Sequence, residues 1–150
     1  MKKPFLIGIG NPHRGDDAAG LLVLDRLKND FESLKHDGEP AALIDAWQGH
    51  DDIILVDAVS SGAGAGEIFE LDLQKESLPD IFAQSSTHSF GVAEAVELAR
   101  ALGKLPPAIF FYGIAGENFS IGGDVSPEVE KSVAAVAQSI LDAHKEKKHA

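Results

Sequence analysis

Ile53-Ile54-Leu55-Val56 is apolar at every position and mostly β-branched, and it stops at an acid, Asp57. A strand wet on one face alternates apolar and polar residues. An unbroken apolar run instead predicts a strand covered on both faces, the signature of a central strand in a parallel sheet. The remaining strands are read around it. Phe5–Ile9 is a second apolar run, closed by Gly10-Asn11-Pro12, which reads as a strand and its turn. Residues 108–112 follow Pro106-Pro107. Residues 67–73 set Ile68, Glu70 and Asp72 against Phe69, Leu71 and Leu73, the alternation of a half-buried edge strand. A weak strand signal falls within residues 31–37.

Helical stripes separate these runs. Leu21, Leu24 and Leu27 recur at a spacing of three within residues 18–28, with Leu22 and Val23 widening the apolar face. Glu39-Pro40 opens a short helix through Leu43, Ile44 and Trp47, with proline in the first turn. Residues 85–89 read as a polar loop. Residues 90–102 follow as a helix with Val92, Ala95, Val96, Ala99 and Leu102 on one face. Ser126-Pro127-Glu128 combines a serine N-cap, a first-turn proline and an acid near the positive helix end. Val129, Val133, Val136 and Ile140 continue it as a stripe. Strands alternating with helices predict an α/β domain. The expected form is a three-layer α/β/α sandwich with a mostly parallel, twisted sheet of about five strands, spanning residues 1–150 as a single domain. In such folds the ligand crevice lies outside the carboxyl ends of the strands.

Composition narrows the chemistry. The chain has no cysteine, which excludes disulfides, thiolate metal sites and a cysteine nucleophile. Thirteen basic against 24 acidic residues give a net charge of −11, poorly suited to a nucleic-acid backbone. The one basic cluster, His144-Lys145-Glu146-Lys147-Lys148-His149, reads as a solvated helix end. The opening residues carry no signal-peptide pattern and no apolar segment long enough to span a bilayer. The expectation is a cytoplasmic protein with no nucleic-acid and no membrane partner.

Two predicted strands deliver acids at their carboxyl ends. The first leads through Gly10-Asn11-Pro12-His13-Arg14-Gly15 to Asp16-Asp17, and the central one leads to Asp57. The loop before the third long helix supplies His88. The separations, 40 residues (17 to 57) and 31 residues (57 to 88), suit ligands from three successive strand–helix units meeting at one sheet edge. Two carboxylates and an imidazole form an oxygen/nitrogen set that suits nickel, zinc, manganese or iron and leaves positions open for substrate or water. Each residue also has a plainer role open to it. Asp16 or Asp17 is placed to cap the following helix, Asp57 to orient a turn, and His88 to cap a helix or sit exposed.

Other chemistries find less support. Gly8 and Gly10 begin a Gly-x-Gly, but position 13 is histidine where a dinucleotide fingerprint needs glycine. There is no Gly-x-Ser-x-Gly elbow and no phosphate-binding Gly-Lys-Ser/Thr.

The stretch Gly8-Ile9-Gly10-Asn11-Pro12-His13-Arg14-Gly15-Asp16-Asp17-Ala18-Ala19-Gly20 closely resembles the opening motif of the hydrogenase maturation protease family. Ile54-Leu55-Val56-Asp57-Ala58-Val59 resembles its central strand, and Ser86-Thr87-His88-Ser89-Phe90-Gly91 its third loop and helix. Tyr112-Gly113-Ile114-Ala115-Gly116-Glu117, with Ser126-Pro127, resembles its final strand and last helix. The resemblance runs along nearly the whole chain. It implies an endopeptidase that removes the C-terminal extension of a nickel–iron hydrogenase large-subunit precursor after nickel insertion. Carried over residue by residue, it makes Asp17, Asp57 and His88 both the catalytic and the metal-contacting set, with no separate nucleophile. The nickel is implied to arrive on the substrate, so no tightly bound cofactor is expected. Asp16 matches the first acid of the pair, which is not a ligand in the family.

Two departures stand out. Ala18 follows the acid pair where many members have glycine. Asp37-Gly38-Glu39-Pro40-Ala41-Ala42 replaces a loop of the Asp-Gly-Gly-Thr-x-Gly type, as in a variant branch. The alternatives are a nickel-dependent binding or checkpoint protein without cleavage, and an esterase like peptidyl-tRNA hydrolase. The latter shares a Gly-x-Gly-Asn-Pro opening but expects a Thr-Arg-His-Asn stretch that this chain lacks.

Overall fold

The computed structural model describes residues 3–62, 64–83 and 87–149, without the side chains of residues 81, 83, 87–90 and 145–149. Among the described residues five strands form one sheet: β1 (Phe5–Ile9), β2 (Ser33–His36), β3 (Asp52–Val59), β4 (Ile68–Asp72) and β5 (Ala108–Ala115). The order is β2-β1-β3-β5-β4, parallel throughout except for β4, which runs antiparallel on the edge of β5. Four α-helices flank it: α1 (Ala19–Leu27), α2 (Pro40–Trp47), α3 (Thr87–Leu102) and α4 (Pro127–His149). Short 3-10 turns occupy Gly15–Ala18 and Asp80–Ala83.

The unbroken apolar runs are sandwiched as expected. Phe5, Ile7, Ile9, Ile53 and Leu55 point to one face and pack with Leu43, Trp47, Val92 and Val96 of α2 and α3. Leu6, Ile54, Val56 and Ile114 point to the other. They meet Val23, Leu24 and Leu27 of α1 and Val129, Val133, Val136 and Ile140 of α4. Each such side chain, taken fully out of water, contributes about 1.5–3 kcal/mol toward folding. This two-sided burial makes β1 and β3 rigid supports for the residues at their ends.

The chain leaves β1 through α1 on one face to reach β2, then returns through α2 on the other face to β3, on the opposite side of β1. The strand order therefore reverses between β1 and β3. In folds of this kind such a reversal is where ligands bind, outside the carboxyl ends of the two strands.

Three sequence expectations need correction. β3 does not end at Asp57 but runs on to Val59, because β5 continues beside it, with Asp57 opposite Gly113 and Val59 opposite Ala115. Likewise β5 extends past Tyr112 to Ala115. Third, α3 begins at Thr87, so position 88 lies in the first helical turn rather than in a loop. Residues 85 and 86 of that expected loop lie outside the described residues.

Candidate active site

Asp57 lies within β3, in register with Ile9 of β1. Neighbours in register on parallel strands point to the same face, so the Asp57 carboxylate faces the α2/α3 layer, as Ile9 does. It is fully buried. A turn-orienting role is excluded by its place inside a paired strand.

Asp17 arrives from the other side of the switch point. The chain leaves β1 at Ile9, loops through residues 10–14 and enters the 3-10 turn Gly15–Ala18. Asp17 is 2% exposed, and its Oδ2 accepts the Asn11 N–H at 3.1 Å. Packing holds this turn against the strand ends. A Cβ on Gly10 would lie 2.1 Å from the Asp17 carbonyl oxygen. One on Gly20 would lie 2.3 Å from the Val56 oxygen and 2.8 Å from the Ile9 oxygen. Only glycine lets α1 start this close to β1 and β3. The N-cap of α1 is Ala18, without a side-chain capping bond, so neither acid caps that helix.

Position 88 is on the backbone of α3, one turn before Val92, and its side chain lies outside the described residues. The backbone brings this end of α3 to the same edge: a Cβ on Gly91 would sit 2.3 Å from the carbonyl oxygen of Gly38, just beyond the carboxyl end of β2. Among the described residues no three His, Asp or Glu side chains gather into a metal-holding group. The described part of the expected set is Asp17 and Asp57.

Asp16 carries a role that sequence reasoning missed. Its carboxylate is fully buried and accepts four hydrogen bonds from the far end of the chain. Oδ2 accepts from Glu117 N (2.9 Å), Asn118 N (3.0 Å) and Ser126 Oγ (2.7 Å), and Oδ1 from Ser126 N (2.6 Å). Burial pushes the carboxyl upward, but the donors from Ser126, Asn118 and Glu117 outweigh it and hold it below the ordinary aspartate value. Asp16 also donates its own N–H to the Asn118 oxygen at 2.7 Å. Arg14 Nε donates to the Phe119 oxygen, and Gly122 N to the His13 oxygen. The 116–126 loop is thus zipped onto the loop bearing Asp17. No local pattern in the sequence marks this role; in the structure a Cβ on Gly116 would lie 2.7 Å from the Asp16 Cβ.

Asp57, within β3, and Asp17, on the turn that follows β1, are both buried carboxylates, hard oxygen donors of the kind that suit a divalent cation or proton transfer with a water. Arg14, the base in the first loop, directs its Nε to the Phe119 carbonyl.

The sequence profile of the hydrogenase maturation protease (HycI) family matches residues 38–143. That span holds Asp57 and His88 but not the Asp17 loop. No curated protein sequence matches the chain. Solved structures cover the rest. The hydrogenase maturating endopeptidase HybD from E. coli superposes with a TM-score of 0.81 at 23% identity, over 97% of this chain and 94% of that one. A [NiFe] hydrogenase maturation protease HybD from Thermococcus kodakarensis gives 0.73 at 23% identity, over 95% and 99%. HycI from Thermococcus kodakarensis KOD1 gives 0.69 at 24% identity, over 93% and 90%. At these identities the superpositions establish the shared fold.

Proposed function

The chain belongs to the hydrogenase maturation protease family, and on that premise we propose that it removes the C-terminal extension of a nickel–iron hydrogenase large-subunit precursor after nickel insertion. In this reading Asp17, Asp57 and His88 contact nickel that the substrate brings, and the protein needs no tightly bound metal of its own. What supports the reading is the burial of two carboxylates in neighbouring segments: Asp57 within β3, and Asp17 on the turn that follows β1, the strand paired with β3. Like charges so placed disfavour one another, and an incoming cation offsets that cost. A site of this kind responds to the metal state of its substrate.

Hydrolysis requires a water oxygen to add to the scissile carbonyl carbon, one water proton to be accepted, and the departing amine to gain a proton as the C–N bond breaks. Asp17 or Asp57 serves as the acceptor and returns the proton to the amine. Asp17, Asp57 and His88 would contact nickel carried by the substrate, which would supply Lewis-acid polarisation there. Proton relay and metal contact therefore fall on the same residues, which accounts for the lack of a recognisable nucleophile.

The reading places the protein in the cytoplasm; among the described residues no helix is long and apolar enough to cross a membrane. The test is incubation of the purified protein with nickel-loaded and nickel-free precursor, read by intact mass. Loss of the C-terminal peptide from the nickel-loaded form alone is expected. Equal cleavage of both forms contradicts nickel recognition. Tight nickel-dependent binding without cleavage identifies a checkpoint protein instead.

A further inference from the structure

His36 ends β2 in register with Ile9, which is itself in register with Asp57. The three residues form one row across β2, β1 and β3, and their side chains face the same α2/α3 layer. The His36 side chain is only 11% exposed. Its Nδ1 accepts the Gly38 N–H at 2.9 Å. A ring nitrogen that accepts carries no proton, so the imidazole is neutral and its proton sits on Nε2. That Nε2–H has no hydrogen-bond partner among the described residues and is not sealed from solvent.

We propose that the Nε2–H of His36 donates to a backbone carbonyl of the bound substrate, on the β2 side of the crevice. The assignment rests on the reading above that the substrate is a polypeptide. Three observations favour a neutral carbonyl over an anion as the acceptor. The donor is itself neutral. Asp37 Oδ1 lies 3.7 Å from its Nδ1. The same sheet edge holds the buried carboxylates of Asp17 and Asp57. The bond to Gly38 fixes the ring and its tautomer, so the donor is oriented before substrate arrives. The turn at Gly38, where φ is +89°, also meets α3 at Gly91, so His36 stands beside the helix that carries position 88.

His36 also has a purely structural use, closing the Gly38 turn, and two variants separate the roles. Asparagine at 36 places an amide oxygen near Nδ1, keeping the turn bond but losing the distal donor. Glutamine places an amide N–H near Nε2, keeping the donor but losing the turn acceptor. The measurements are thermal melting and the Kd for nickel-loaded large-subunit precursor. His36→Asn is expected to melt like the unaltered protein and bind about tenfold more weakly, the effect of one lost hydrogen bond. His36→Gln is expected to melt lower yet bind within about twofold of the unaltered protein, since its donor is retained. Unchanged binding by His36→Asn, or affinities that follow melting temperature in both variants, overturns the assignment. If the unaltered protein neither binds nor cleaves the precursor, the functional reading fails and the assignment fails with it. If it does both and His36→Asn does too, only the assignment fails.

Discussion

Ser126 donates both its backbone N–H and its hydroxyl to the carboxylate of Asp16, at 2.6 and 2.7 Å, across 110 residues of sequence. This joins the first residue of the acid pair to the start of α4. The Glu117 and Asn118 amides complete the clasp. The two adjacent acids thus bond differently: Asp16 holds the loops together, and Asp17 accepts the Asn11 N–H within the first loop.

Asp16→Asn is therefore expected to destabilise the protein, although it removes no atom from the crevice. An amide NH2 in place of either carboxylate oxygen meets an N–H or O–H donor instead of accepting from it. Losing charge-assisted bonds of this kind costs about 3 kcal/mol. In a chain of this size that lowers Tm by roughly 6–12 °C. Differential scanning calorimetry measures it. A Tm within about 2 °C of the unaltered protein, less than 1 kcal/mol by the same conversion, contradicts the clasp.

The same carboxylate makes stability depend on pH. Its folded pKa lies below the ordinary aspartate value. Its contribution is thus complete above the unfolded value of about 3.9 and is lost as pH falls from there through the folded value. Urea midpoints taken from pH 6 downward should fall more steeply below about pH 4 for the unaltered protein than for Asp16→Asn. Parallel curves contradict this origin of the acid sensitivity.

Gly20→Ala tests how α1 is seated. The added methyl would lie 2.3 Å from the Val56 oxygen and 2.8 Å from the Ile9 oxygen, both backbone atoms of buried strands. Overpacking of this kind costs about 1–3 kcal/mol, against the small gain in helix propensity. Because α1 follows directly from the turn holding Asp17, precursor cleavage should fall along with Tm. An alanine variant that melts higher and cleaves normally contradicts the close seating.

Much of this architecture is legible in local sequence. β1 falls at Phe5–Ile9 as read, and the stripe Val129, Val133, Val136 and Ile140 is buried along α4. Both follow from periodicity and from the Ser126-Pro127 start, which are properties of neighbouring residues. What periodicity could not supply was long-range. The extension of β3 past Asp57 depends on β5 lying beside it as far as Ala115. The role of Asp16 depends on donors 101 to 110 residues away. Strand-end placement and the family resemblance together nominated Asp17, Asp57 and His88. The strand register adds that Asp57 enters from within a strand, on the face where α3 packs.

Asp17→Asn tests the central claim most directly. Asparagine keeps an oxygen able to accept the Asn11 N–H that Asp17 now receives at 3.1 Å, so the turn should hold and Tm should stay within about 3 °C, equivalent to about 1 kcal/mol. It removes the negative charge and leaves a weaker ligand for a divalent cation. The measurement is the fraction of nickel-loaded precursor cleaved by the purified variant, with its melting curve alongside. Cleavage reduced by about a hundredfold or more, the scale of a lost acid–base group, in a protein of unchanged Tm is the predicted result. Full cleavage by Asp17→Asn contradicts the assignment of its carboxylate to the metal and to the reaction.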